Sequence, residues 1–235
     1  MDIQDQLELN SLFEGLQPMA SKKAAVCIGR FNPATKGHYA IINLVKKFIR
    51  EKADLGLEAS PIVVIIGGGK SDADRKRNPL TVHEREAFMK ASGSADGVRF
   101  MTATNAFEAF SLVRAEGFEP IAIAAGSDRV HDYIRILDGY FKTPSGDAIK
   151  HYKIDLARDA AAVSDDDETK QKAMDSTLAS MKDGSELDID EVSGSLARRA
   201  VELGYEAEFA EIVGMKAKPT LAKKMFNKIK AALAE

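Results

Sequence analysis

Short apolar runs recur along the chain, and between them apolar positions fall three and four residues apart. The runs at residues 24–28, 61–66, 98–102, 120–125 and 149–156 read as strands, whereas 37–51, 82–91, 106–116 and 129–141 carry helical spacing. Strands and helices in alternation predict a parallel sheet covered by helices. Right-handed crossovers then give a doubly wound, Rossmann-like α/β domain: a five-stranded parallel sheet with helices on both faces, plus terminal helices. In such a sheet ligands bind outside the carboxyl ends of the strands, and glycines recur at those places: Gly29, Gly67, Gly68, Gly69 and Gly126.

The remaining segments have other patterns. Residues 1–22 form an amphipathic lead-in with Leu7, Leu12, Phe13 and Leu16, and 23–158 form the α/β core. Residues 159–191 are polar and acidic, with "SDDDETK" and "MKDGSELDID", and read as a solvated, mobile insertion. A metal role for Asp165, Asp166 and Asp167 is disfavoured, because adjacent carboxylates converge on one ion only in a tight loop. Residues 192–216 complete the core. The stretch 217–235 is an amphipathic helix with Leu221, Met225, Phe226, Ile229 and Leu233 on one face and lysines on the other. Packing on the domain or on a second subunit is the favoured use of that face, ahead of a membrane surface.

Composition narrows the classes. At 235 residues and 45% apolar content the chain can bury one sizeable core. With 33 basic and 36 acidic residues the formal net charge is −3, so no global basic field points to nucleic acid, and an anion site must be local. One cysteine, Cys27, excludes a disulfide framework and a cysteine-rich zinc site; inside an apolar strand it reads as core. No apolar stretch is long enough for a bilayer, and the N-terminus lacks the pattern of a signal peptide, so the expected location is the cytoplasm.

The chemistry gathers around "AAVCIGRFNPATKGHYAII", residues 24–42. A strand delivers the chain to Gly29, where the missing Cβ permits a bend and close approach to a ligand. Arg30 adds a positive fork and Pro33 stiffens the loop. The helix beginning near Gly37 then points its free N–H groups and positive dipole end at the same place. This is an anion cradle, with His38 in the first helical turn able to donate to a phosphate oxygen. A histidine there also serves as a cap, so that alternative stands beside the functional one. A second cradle is written at 192–198, "VSGSLAR", where Ser193 and Ser195 offer hydroxyls at a helix start and Arg198 a bidentate donor one turn on.

Together these segments resemble the nucleotidylyltransferase superfamily, whose members carry T/H-x-G-H near the first strand and I-S-x-T-x-x-R near the end of the fold. Thr35-Lys36-Gly37-His38 matches the first. Val192-Ser193-Gly194-Ser195-Leu196-Ala197-Arg198 matches the second. "RNPLTVHERE", residues 77–86, resembles the N-P-x-[ST]-x-x-x-R segment of these enzymes, and "GSDRVHDYIRIL" resembles a stretch in phage-encoded cytidylyltransferase-like proteins, the group with the most similar pattern. The resemblance spans about 24–214 and leaves both chain ends uncovered. Thr35 replaces the histidine that many members have there; its hydroxyl can bond a phosphate but carries no charge.

The resemblance implies transfer of a nucleoside monophosphate from a nucleoside triphosphate to a small phosphorylated acceptor, with pyrophosphate released. It places His38, Thr35 and Arg198 at the reacting phosphates and Gly29, Arg30, Phe31, Asn32, Gly37, Ser193 and Ser195 around the nucleotide. Magnesium accompanies the triphosphate on phosphate and water oxygens, with no protein metal site. Ser127, Asp128 and Arg129 after the fourth strand are further nucleotide candidates, with helix capping the equal alternative for Ser127 and Asp128. Lys70, Arg75, Lys76 and Arg77, in "GGGKSDADRKRNPL", and Arg85 are candidates for gripping the acceptor, set against a mobile solvated loop. His83, His131 and His151 read as surface or capping groups.

Other readings remain beside this one. The S-G-[ST]-x-x-R form is shared with nicotinamide-mononucleotide adenylyltransferases. A virion or complex component could keep the fold without turnover and attach, or self-associate, through the terminal helices; a phage protein would act in the host cytoplasm. Class I aminoacyl-tRNA synthetases share a similar histidine motif, but no lysine-rich second signature is present.

Overall fold

The computed structural model describes residues 22–143, 146–156, 167–189 and 191–235. The lead-in at 1–22 therefore lies outside the described residues apart from Lys22. Five parallel strands, β1 (Lys22–Gly29), β2 (Ala59–Ile66), β3 (Arg99–Ala103), β4 (Phe118–Gly126) and β5 (Tyr152–Leu156), form one sheet in the order β3-β2-β1-β4-β5. The chain winds outward from β1 in one direction through β2 and β3, then in the other through β4 and β5. Between β1 and β4 lies the topological switch point, flanked by Gly29 and Gly126, where a crevice opens in folds of this kind.

Strand alternation divides the core. Val26, Ile28, Ile62, Val64 and Ile123 face α3 (Ala106–Ala115) and α4 (Ser127–Tyr140), meeting Phe107, Phe110, Val113 and Leu137. On the opposite face Ala25, Cys27, Val63, Ile65 and Ala124 meet Tyr39, Ile42 and Val45 of α1 (Lys36–Ala53) and Met89 of α2 (Val82–Ser92). Both faces of β1 are covered, which is why its residues read as one unbroken apolar run. Cys27 is core, and burial pushes its thiol up to about 12.

A further apolar cluster is mostly helical, with Leu80, Leu187 and Val192 added from loops. It joins α5 (Asp167–Lys182), α6 (Gly194–Glu202), α7 (Glu206–Ile212) and α8 (Pro219–Leu233) to Phe88 of α2. On α8, Ala222, Met225, Phe226, Ile229 and Ala232 are buried, with Phe226 edge-on to Phe209 at 5.4 Å, so the C-terminal helix packs on its own domain. Lys228 of α8 also pairs with Glu84 of α2.

The polar stretch before α6 divides in two. Residues 157–166, which include Asp165 and Asp166, lie outside the described residues. Where composition predicts a solvated run, Asp167–Lys182 forms α5. Leu178 is fully buried, Met174 and Met181 pack beside it, and Asp175 accepts two bonds from Arg199 of α6 at 2.7 and 3.1 Å. So few apolar contacts leave only a weak amphipathic stripe, which is why the sequence does not announce a docked helix.

One position shows how tightly the strand ends are packed. A Cβ on Gly67, just after β2, would stand 2.5 Å from Arg85 Nη1, 2.6 Å from Val82 Cγ2 and 2.8 Å from Asp72 Oδ2. Gly67→Ala is expected to destabilise the fold by roughly 1–3 kcal/mol through overpacking, read as a lower midpoint in denaturant unfolding. An unchanged midpoint would show that the Arg85–Asp72 pair can move aside.

Candidate functional site

The first cradle is built as the strand–loop–helix order predicts, with a local device the sequence did not display. Thr35 is the N-cap of α1 and is fully buried. Its backbone N–H donates to His38 Nδ1 at 3.1 Å, and its hydroxyl oxygen stands 2.9 Å from the same nitrogen. A capping box ordinarily uses glutamate or glutamine three residues after the cap, and here histidine does that work. The capping reading of His38 is met through Nδ1. Because an amide N–H can only donate, Nδ1 is the acceptor, and the neutral ring carries its proton on Nε2. Thr35 acts by fixing the ring.

Phe31 is buried, in a left-handed conformation (φ 51°) uncommon for so bulky a residue. Its ring reaches within 3.0 Å of where a Cβ on Gly29 would stand and lies 5.0 Å, centre to centre, from the His38 ring. Phe31 thus supports the histidine from beneath. Gly37 faces Ile189 O and Val192 O, at 3.5 and 3.6 Å from a built Cβ, so the chain's own backbone fills the space above it. Arg30 is exposed.

Asn32 is the hub between motifs. Its side-chain amide is buried: Nδ2 donates to Leu80 O at 3.1 Å and to Asn78 Oδ1 at 3.4 Å, while Oδ1 accepts from Leu80 N–H at 3.1 Å. Its backbone oxygen accepts from Arg198 Nη1 at 2.7 Å. The two signature segments, 166 residues apart, thus meet at one carbonyl. Gly194 makes the meeting feasible, since a Cβ there would stand 3.2 Å from Asn32 O.

In the second cradle Ser193 caps α6, its hydroxyl accepting from Leu196 N–H at 3.0 Å, and Arg198 Nη2 donates to Ser195 Oγ at 3.0 Å. Burial lowers the pKa of Arg198 to about 10; Arg30 and Arg77 push the same way, against Glu202 and Asp74. Arg198 therefore feels cations from two distant segments. Such an arrangement favours an anion.

The basic loop is built and hydrogen-bonded. A short 3₁₀ turn (Lys70–Ala73) follows the glycines, and Asp74 Oδ1 accepts from the backbone N–H groups of Lys76 and Arg77, both at 3.1 Å. Lys76 and Arg77 project into solvent, while the side chain of Lys70 lies outside the described residues. Arg85, read as an acceptor ligand, has no exposed side-chain surface. Its Nε donates to Leu80 O at 2.9 Å, Nη1 to Ile66 O at 2.9 Å and Arg30 O at 3.3 Å, and Nη2 to Asp72 Oδ2 at 2.8 Å.

After β4, α4 begins at Ser127 with Gly126 as its N-cap, and Asp128 stands in the first turn, where the positive helix end favours a carboxylate. Asp128 lies 3.5 Å from Arg129. Both stand at the switch point with Tyr133, whose phenol pKa burial raises while Arg129 and Arg30 oppose the rise. His83 and His131 are exposed, and His151 Nδ1 lies 3.0 Å from Ile149 O.

Sequence reasoning did not single out Asp72 as an architect of the site, and it marked Gly67 only as a strand-end glycine, Asn78 only as part of the N-P segment and Gly194 only inside the S-G-S motif. Among the described residues no group of three or more His, Cys, Asp or Glu side chains gathers as a metal site, and no helix is long and apolar enough to cross a membrane.

Comparison with known proteins adds a family. A family model described as cytidylyltransferase-like matches residues 26–180. No curated protein matches the chain. A solved structure described as a macrolide-efflux protein from Streptococcus pneumoniae is 15% identical with a TM-score of 0.49, over 86% of this chain and 58% of that one. The chain thus spans less than two thirds of that structure.

Arg198→Met is expected to change ligand-free stability by less than about 1 kcal/mol, because two lost hydrogen bonds offset the removal of a buried charge. Affinity for pyrophosphate, measured calorimetrically, should fall about a hundredfold. Undiminished pyrophosphate binding would take Arg198 out of the anion site.

Proposed function

Because the chain belongs to the cytidylyltransferase-like family, we propose that it transfers a nucleoside monophosphate from a nucleoside triphosphate to a phosphate-bearing acceptor. An acceptor oxygen forms a bond to the α-phosphorus, the bond from that phosphorus to the bridging oxygen breaks, and pyrophosphate leaves with the electron pair. No side chain need be modified.

One observation carries this reading: Arg198, from the second helix start, bonds Asn32 O in the loop that leads directly into the helix of His38. A triphosphate laid between them would put its α-phosphate against His38 Nε2–H and its β- and γ-phosphates against Arg198, with Ser195 holding the guanidinium in place. Charge that builds on the leaving pyrophosphate would then meet a fixed cation, while His38 stabilises the reacting phosphoryl oxygens. Thr35, Phe31 and Asn32 act at one remove by holding ring and loop. This is catalysis by alignment and preorganised charge. The side chains of Arg30, Asp128 and Arg129, around the switch point, are proposed to face the nucleoside, and Lys76 and Arg77 the acceptor. Magnesium enters as part of the triphosphate substrate; no residue here is assigned to it.

The test is pyrophosphate release with magnesium, using ATP and CTP each against nicotinamide mononucleotide and a panel of phosphorylated alcohols and sugars. Release from one pairing is expected, and kcat should fall about 100- to 1,000-fold in His38→Ala and in Arg198→Ala. Nicotinamide mononucleotide as the working acceptor would make the chain an adenylyltransferase of that type. Failure of every triphosphate either to react or to raise the melting temperature would leave a structural protein of this fold.

A further inference from the structure

The buried Arg85 is unused in the chemistry above, yet it is the most heavily bonded side chain near the site. It cannot be a ligand: its side chain has no exposed surface, and its donors are engaged by Leu80 O, Ile66 O, Arg30 O and Asp72 Oδ2. Those acceptors come from different places: the start of α2, the end of β2, the loop after β1, and the 3₁₀ turn. Asp72 completes the link, because the same Oδ2 also accepts from Gly68 N–H at 2.7 Å. Its side chain keeps 19% of its surface exposed, so it stands between the buried guanidinium and the open loop.

We infer that Arg85 and Asp72 form a latch that sets the basic loop at residues 67–77 against the phosphate site, and that both are positioning residues for anion binding. The inference rests on the transferase reading and adds to it a means by which the loop is held. The loop runs from Arg77 straight into Asn78 and Leu80, which bond the Asn32 side chain, and Asn32 O in turn accepts from Arg198 Nη1 at 2.7 Å, so loop and second cradle are joined through one residue. The intervening turn is hydrogen-bonded, with Asp74 Oδ1 bonded to Lys76 and Arg77 N–H and Asn78 N–H bonded to Asp74 O at 2.8 Å. These bonds link the position of Asp72 to that of Arg77. Gly67 has no room for a Cβ beside the latch, which places the pairing at the strand end itself.

The test compares Asp72→Ala with Asp72→Asn in the full chain, with inorganic tripolyphosphate as the probe and isothermal calorimetry as the readout. An asparagine oxygen can accept from both Gly68 and Arg85, so D72N should bind within about threefold of the unsubstituted protein, whereas D72A should lose about tenfold. Thermal unfolding accompanies each titration. Equal binding by D72A and the unsubstituted protein would overturn the latch. So would D72N as weak as D72A, since geometry is then not what matters, and so would a D72A chain that fails to fold, because Asp72 would then serve the domain and not the loop. No tripolyphosphate binding by the unsubstituted protein would overturn the transferase reading together with the latch.

Discussion

A guanidinium with no exposed surface is the constraint on which the upper rim of this sheet depends. Burying a charge is tolerated only where a counter-charge and hydrogen bonds replace water, and Arg85 meets that demand with three backbone carbonyls and one carboxylate. The requirement works in both directions. Because the cation must be satisfied, the ends of β1 and β2, the start of α2 and the glycine loop are drawn to fixed positions around it. Asn32 repeats the device without charge a few residues away, its amide exchanging hydrogen bonds with the backbone of Leu80. Two side chains that touch no substrate in the proposed chemistry thus shape the floor of the site.

Arg198 shows the opposite economy. Its pKa is held down to about 10 by burial, with Arg30 and Arg77 adding to the effect, yet it remains ionised at neutral pH. A cation whose folded pKa is depressed destabilises the fold at every pH below that value, and the cost fades only as the pH rises through it. Arg85 lies elsewhere on the same scale, since Asp72 opposes the lowering that burial imposes on it. One arginine is paired with a carboxylate at 2.8 Å, whereas the other donates to a carbonyl and a hydroxyl.

The architecture was legible because both faces of the sheet are buried. Residues 24–28 and 61–66 are unbroken apolar runs for that reason, and each became a strand end to end with its neighbours in parallel register. His38 and Arg198 were legible through short motifs. What escaped was the distinction between ligand and strut: Arg85 and Asn32 sit in motifs beside residues that face the site, and nothing in residue type separates an arginine that binds phosphate from one that binds backbone oxygens. Only burial decides, and burial is a property of the assembled fold. α5 escaped for a related reason, since its docking rests on Leu178 and on Arg199 of another helix.

The family match ends at residue 180, and the second cradle lies beyond it. Geometry nonetheless joins α6 to the first cradle. Gly194 lets its N-terminus come against Asn32 O, Arg198 bonds that oxygen, and Lys36 of α1 reaches across to Glu211 of α7 at 2.7 Å. A carbonyl that accepts a charged donor is polarised, and its loop is held where β1 would otherwise release it. The helical cluster behind α6, with α8 packed on it and Lys228 tied to Glu84 of α2, then braces both cradles from one side. The C-terminal helices and the α/β core are consequently tied together beside both cradles. Substitutions on α8, which touches neither motif, reach the cradles through that brace.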